Sequence, residues 1–93
     1  MNILAELTHA VTRYDRRQSR GARYNPYALG QYLMRVDEIV ADIEAGADMR
    51  QAICAAFSGS LLNSVLRSMK LAPATQDELR GTQHGWSYRP VTR

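Results

Sequence analysis

The sequence predicts an all-α fold, a compact four- to five-helix bundle with an extended C-terminal tail. Apolar residues recur at spacings of three and four along most of the chain, and no useful stretch alternates with the period of two typical of a strand. Glycine, proline or a capping residue separates successive periodic stretches. A chain of 93 residues, 45% of them hydrophobic, suffices for one small domain. We place that domain at residues 1–81 and the tail at residues 82–93.

The first helix is expected to run from Asn2, its N-cap, to Arg20, with Gly21 as a left-handed terminator. Its apolar side consists of Ile3, Leu4, Leu7, Val11 and Tyr14. The opposite side carries four arginines at spacings i, i+3, i+4 and i+7, namely Arg13, Arg16, Arg17 and Arg20. The pattern therefore predicts a helix that packs on one face and presents a positive stripe on the other.

The second helix is expected to open with Asn25 as N-cap and Pro26 as its first residue, and to end at Gly46. One face is lined by Leu29, Tyr32, Leu33, Val36, Ile39, Val40 and Ile43. A second face carries Tyr27, Gly30, Met34 and Ala41. Two usable faces imply two neighbours, so this helix is either sandwiched at the centre of the bundle or forms a homodimer contact through its second face.

The third helix is expected to begin with a capping box of Asp48 and Gln51 and to end near Gly59. Its apolar residues are Met49, Ile53, Ala56 and Phe57, and those of a fourth helix, from about Ser60 to Lys70, are Leu61, Leu62, Val65, Leu66 and Met69. Pro73 prevents continuation of the fourth helix. Thr75 and Glu78 then predict a second capping box and one short helical turn.

The charge is unevenly distributed along the chain. Residues 1–24 carry a net +3, residues 25–57 a net −3, and residues 58–93 a net +3. We expect part of this charge to cancel within the fold, which weakens any inference from the basic total to a nucleic-acid partner.

No complete catalytic, metal or nucleotide motif is present, so we expect no enzymatic activity, no cofactor and no metal. Neither His9 nor His84 has a nucleophile or ligand partner at a telling spacing. Glu38 and Asp42 are four residues apart but lack a converging third ligand. Cys54, the one cysteine, lies among small apolar residues and is expected to be a buried hydrophobe. Without a membrane-spanning run or a leader, a cytoplasmic protein is expected.

The stretch around the arginine stripe is the best candidate for a contact surface, and it consists of Arg13, Arg16, Arg17, Arg20, Arg23, Tyr24 and Tyr27. Arginine forks suit both an acidic protein surface and a nucleic-acid backbone. Our first hypothesis is docking on an acidic protein partner, as an adaptor or inhibitor, because arginine and aromatic residues are enriched at interface hot spots. The same arginines could instead remain a solvated face or pair with the acidic second helix. The small size and arginine-rich surface are similar to those of short proteins encoded by phages and mobile elements, which makes such an origin a further expectation.

Nucleic-acid binding is the alternative function. A helix-turn-helix template laid over the third and fourth helices fits at Ala55, Gly59 and Val65 but not at Ser58, Ser60 and Ser68. In such a regulatory protein the DNA contacts are Asn63, Ser64, Arg67 and Lys70, and the arginine stripe of the first helix binds phosphates. Trp86 and Tyr88 are predicted to anchor the tail on the bundle or on a partner.

Overall fold

This computed structural model describes residues 2–80 of the chain. Within that range the chain forms five α-helices and no strand. They are α1 (Ile3–Gln18), α2 (Ala28–Glu44), α3 (Met49–Ala56), α4 (Gly59–Ser68) and α5 (Gln76–Arg80). The all-α prediction is confirmed. The predicted tail, with Trp86, Tyr88 and His84, lies outside the described residues.

The first four helices pack in a ring around one apolar core. Helix α1 packs against α2 and α4, and α3 closes the ring by packing against α2 and α4, so that α4 lies opposite α2. The largest fully buried side chains are Leu7, Val11, Val36, Ile39, Ile53, Phe57, Leu62, Val65 and Leu66. Because these residues come from all four helices, each apolar stripe found in the sequence contributes to the same core.

Helix α1 begins as the sequence predicts but ends earlier. The Asn2 side-chain oxygen accepts a hydrogen bond from the Ala5 backbone N–H at 3.1 Å, which confirms the N-cap. The helix ends at Gln18, and the Ser19 hydroxyl donates to the Arg16 carbonyl at 2.7 Å, which satisfies one carbonyl of the last turn. Gly21 does not adopt a left-handed conformation, so its predicted role as terminator is wrong.

The start of α2 also differs from the prediction. Asn25 caps a turn ahead of the helix rather than the helix itself, since its side-chain oxygen accepts from the Tyr27 N–H at 2.9 Å. The helix begins at Ala28 with Tyr27 as N-cap. At the other end, Gly46 has φ +110° and stops the helix as predicted, because a left-handed residue there lets the Ala47 N–H reach the Asp42 carbonyl at 2.9 Å.

The second face of α2 is exposed, so the hypothesis of a central, sandwiched helix is wrong. Tyr27 is 78% exposed and Met34 is 66% exposed, and Gly30 and Ala41 are exposed as well. Within residues 2–80, helix α2 meets the rest of the bundle through the side that carries Val36 and Ile39. The homodimer contact through the second face stays a prediction. Leu4, expected on the apolar side of α1, is 47% exposed and is not part of the buried core.

Helices α3 and α4 are joined by Phe57 and Ser58 alone. The Asp48 side chain accepts from the Gln51 N–H at 3.0 Å, which confirms the predicted N-cap of α3. Gly59 has φ +61° and begins α4 instead of ending α3, because the chain must turn sharply between two consecutive helices. Helix α4 ends at Ser68, two residues before the predicted end at Lys70.

Helix α5 is tied to α3 by one arginine. The predicted capping box is confirmed: the Thr75 N–H donates to Glu78 Oε1 at 2.8 Å, and the Glu78 N–H donates to Thr75 Oγ1 at 3.1 Å. Arg50 of α3 donates to both Glu78 carboxylate oxygens, at 3.0 and 2.8 Å, and to the carbonyls of Ala72 and Pro73. This cluster fixes the connection between α4 and α5 against α3.

Candidate binding surface

The arginine stripe of α1 lies along the edge of α4. Arg13 Nη2 donates to Ser68 Oγ at 2.9 Å, and Arg17 Nη2 donates to Ser64 Oγ at 2.8 Å. A third contact joins the hydroxyls of Tyr14 and Ser60. Two of the four predicted stripe residues therefore rest on a neighbouring helix while their side chains stay exposed.

The other stripe arginines are exposed and form no ion pair with a described residue. Salt bridges within residues 2–80 join three other pairs, Arg35–Glu38, Arg50–Glu78 and Arg80–Asp77. Neither Arg16 nor Arg20 donates a side-chain hydrogen bond to a described residue, and Arg23 does not either. The described carboxylates of α2 thus form no ion pair with the arginines of α1, which was one of the two alternative interpretations of the stripe.

The exposed side of α4 adds further positive charge next to this stripe. Asn63, Arg67 and Lys70 are exposed and recur at i, i+4 and i+7, so they form one row along α4. This row lies next to the one that carries Ser64 and Ser68. The sequence contains no acidic residue between Asp48 and Asp77. We call the combined surface the cationic face, and it consists of Arg13, Arg16, Arg17, Arg20, Arg67 and Lys70. The acidic helix α2 lies on the opposite side of the ring from α4.

Lys70 has an unusual backbone conformation. It has φ +60°, the one positive value among the described residues other than glycine. It occupies the position after the C-cap of α4, where its N–H donates to the Arg67 carbonyl at 3.0 Å and the Leu71 N–H donates to the Leu66 carbonyl at 2.9 Å. This Schellman geometry normally has glycine at that position, because a side chain in the left-handed region is strained.

The contact between α1 and α4 limits which of the predicted DNA contacts on α4 stay accessible. Ser64, one of the four predicted DNA contacts, accepts a hydrogen bond from Arg17 and is half-buried. Ser68 is occupied in the same way by Arg13. The edge of α4 that faces α1 is therefore covered, and Asn63, Arg67 and Lys70 remain as a single exposed row.

The predicted tyrosines do not join the cationic face as a set of stacking rings. The Tyr24 hydroxyl donates to Asp15 Oδ2 at 3.0 Å, and this hydrogen bond raises the pKa of Tyr24 above its usual value. Tyr14 is half-buried and packs edge-to-face against Tyr32, with ring centroids 6.2 Å apart. Tyr27 is exposed but lies at the start of α2.

One residue that sequence reasoning missed is Asp15, which is only 6% exposed. In the sequence it contributes to the net charge of residues 1–24. A signal was present, because Leu7, Val11 and Asp15 are spaced four residues apart and so lie on the same face of α1. Its position in the apolar stripe marks it as a buried carboxylate beside the tyrosines.

Cys54 and the remaining titratable groups do not assemble a reactive centre. Burial is the main cause that raises the pKa of the Cys54 thiol to about 11, so the thiolate form is disfavoured near neutral pH. His9 is exposed on α1. Among residues 2–80, no three His, Cys, Asp or Glu side chains are grouped to hold a metal ion. No helix in the same range is long and apolar enough to cross a membrane.

Comparison of this chain with models of protein families, with curated proteins and with solved structures finds no match.

Proposed function

We propose that this chain is a non-catalytic binding protein, an adaptor or an inhibitor, whose cationic face docks on an acidic surface of another protein. The observation that carries the proposal is that Arg16 and Arg20 are exposed without an ion pair to any described carboxylate. Guanidinium groups bind carboxylates through two parallel hydrogen bonds, so unpaired arginines in a row match a row of acidic side chains.

The hydrogen bonds to α4 support the same proposal. Because Arg13 and Arg17 are held by Ser68 and Ser64, they lose less conformational freedom on binding than freely rotating side chains would. The other donor groups of each guanidinium stay open to a partner, since both side chains are exposed.

The distribution of charge supports an oriented encounter. The cationic face lies on α1 and α4, whereas the carboxylates of α2 lie on the far side of the ring from α4. An acidic partner is attracted to the cationic face, which raises the association rate and favours one docking orientation.

Nucleic-acid binding is the second candidate function, and the exposed row of Asn63, Arg67 and Lys70 favours it. Lys70 keeps a charged side chain where glycine would relieve backbone strain, which suits a contact role for the lysine. The protein partner remains our first choice for two reasons. Arg13 and Arg17 cover one edge of α4, and the tyrosine hydroxyls of residues 14 and 24 are engaged within the chain.

A pull-down from a lysate of the source organism, with and without nuclease treatment, separates the two functions. Capture of an acidic protein that survives nuclease supports our proposal, and loss of all capture after nuclease contradicts it in favour of nucleic acid. The salt dependence gives a second criterion. For duplex DNA, the logarithm of the binding constant should fall with the logarithm of the salt concentration, with a slope of about 0.9 for each phosphate contact.

A cytoplasmic location belongs to the same proposal, because the single, buried Cys54 suits a reducing compartment. An origin in a phage or mobile element also stays part of the proposal.

A further inference from the structure

A cleft of about 200 Å³ lies between the end of α1 and the start of α2, and no residue of the cationic face is among those that line it. Three tyrosine rings line it, those of Tyr14, Tyr24 and Tyr32. Asp15 also lines it, and Arg23 and Asn25 do so from the connecting loop. An engineered protein cavity of about 150 Å³ admits benzene, so this cleft has room for a small organic group.

The Asp15 carboxylate lacks a cationic partner among the described residues. It is 6% exposed, and within residues 2–80 its side chain accepts one hydrogen bond, from the Tyr24 hydroxyl at 3.0 Å. No arginine or lysine in residues 2–80 forms an ion pair with it. A carboxylate that lies in a cleft without an ion pair can serve as the counter-ion of a cation that enters the cleft.

The rings supply the second half of the site. Tyr14 and Tyr32 meet at an interplanar angle of 68° with centroids 6.2 Å apart, so their planes form two walls rather than one stack. The Arg17 guanidinium carbon, which does not line the cleft, lies 6.0 Å from the Tyr14 ring centroid, so this ring also contacts a cation of the cationic face. Aromatic walls around an anionic group are the arrangement that recognises alkylated ammonium and guanidinium ions, through cation–π attraction and charge together.

We propose that the cleft binds a small organic cation, an alkylated ammonium or a guanidinium group, with Asp15 as its counter-ion and Tyr14, Tyr24 and Tyr32 as its walls. Such a cation sheds its weakly held water easily and contacts all three rings. A compact, strongly hydrated ion such as sodium gains little from the aromatic walls. Arg23 at the same cleft opposes binding through like-charge repulsion.

The direct test titrates the full-length protein with tetramethylammonium, choline and guanidinium chlorides. Sodium and potassium chloride at equal ionic strength are the controls, and binding is followed by NMR shifts of the tyrosine ring protons. The proposal requires saturable shifts with at least one organic cation and none with sodium or potassium. Absence of saturable shifts with all three organic cations would overturn it.

Three variants identify the groups responsible. Asp15→Asn retains an acceptor for the Tyr24 hydroxyl and is expected to weaken cation binding by about tenfold or more while the apo protein melts no lower. Tyr24→Ala should weaken binding, whereas Tyr24→Phe, which keeps the ring, should stay within about threefold of wild type. Equal affinity in the Asp15→Asn variant contradicts the assignment. The assignment is also contradicted if Asp15→Asn lowers the melting temperature and the wild-type protein binds none of the organic cations.

Three further measurements indicate whether the cation is a protein side chain or a free small molecule, and whether binding in the cleft is independent of the cationic face. Arg23→Gln should tighten binding by a few fold, because it removes a like charge from the cleft. A peptide containing trimethyl-lysine that binds more tightly than free choline indicates a protein side chain as ligand, and the reverse order indicates a free small molecule. Arg16→Gln with Arg20→Gln should leave the affinity for choline unreduced, so failure of the docking proposal and failure of this one are distinguishable.

Discussion

Arg17 of α1 and Ser64 of α4 are joined by a 2.8 Å hydrogen bond between Nη2 and Oγ, although they are 47 residues apart in the chain. The bond places an exposed guanidinium across the edge of a helix that carries no acidic residue. Together with the equivalent contact of Arg13 and Ser68, it combines two separate stretches of sequence into one cationic face.

Removing both serine contacts tests whether they organise the face or hold the fold. Ser64→Ala with Ser68→Ala should change the free energy of unfolding by less than about 1 kcal/mol, because both hydrogen bonds are made by exposed arginines. Partner binding should weaken as Arg13 and Arg17 lose their fixed positions. Chemical denaturation and a binding titration measure the two effects. A large loss of stability would make the contacts structural, contrary to this interpretation.

The orientation of α2 is tested by two matched substitutions on that helix. Val36 is 1% exposed, so Val36→Asp should destabilise the fold by at least about 3 kcal/mol through a buried unpaired charge. Met34 is 66% exposed, and Met34→Asp should stay within about 0.5 kcal/mol of wild type. Thermal melts followed by circular dichroism distinguish them. Similar melting temperatures for the two variants would refute the placement of the core.

The Arg50–Glu78 ion pair should make stability depend on pH in the acidic range. The Arg50 guanidinium, with help from Thr75, lowers the pKa of Glu78 from 4.5 to about 2. A carboxyl whose pKa is lower in the folded state stabilises the fold above its unfolded pKa, and this contribution is lost as the pH falls from about 4.5 to 2.

Glu78→Gln supplies the comparison for this pH effect. The variant should melt below wild type at neutral pH, and the difference in melting temperature should shrink as the pH approaches 2. Melts at several pH values between 2 and 7 measure it. A constant difference across that range would show that Glu78 does not contribute through its charge.

Relief of the backbone strain at Lys70 should stabilise the protein. A left-handed conformation costs a residue with a side chain about 1–2 kcal/mol, and the greater freedom of glycine in the unfolded chain offsets part of the gain. We therefore expect Lys70→Gly to raise the free energy of unfolding by about 0.5–1 kcal/mol. Lys70→Ala is the control and should give no such gain. A destabilised glycine variant would contradict the strained geometry.

Much of the fold follows from local patterns in the sequence. The spacing of Leu61, Leu62, Val65 and Leu66 predicts the buried face of α4, and Asp48 and Thr75 predict two helix starts. These features depend on neighbours within one or two turns. Exact ends were less predictable, because the Ser19 hydroxyl and the extra turn at Asn25 compete with the simpler caps that Gly21 and Pro26 suggest.

The candidate surface was only partly predictable, since it depends on contacts between distant segments. The spacing of the arginines predicts their common side of α1, but nothing local shows that Ser64 and Ser68 would accept from them. The pairing of Arg50 with Glu78 spans 28 residues and likewise has no local signal. Asp15 could have been identified from its spacing relative to Leu7 and Val11.

The most direct measurement compares partner affinity for two variants with the same net charge. Arg16→Gln with Arg20→Gln removes two charges from the cationic face, whereas Gln31→Glu with Gln51→Glu lowers the net charge equally at exposed positions on α2 and α3. Both should fold, as judged by circular dichroism. We expect the arginine variant to lose binding to the captured acidic protein and the glutamate variant to retain it. Equal affinity of the two variants, whether both bind or both fail, would contradict docking through this face.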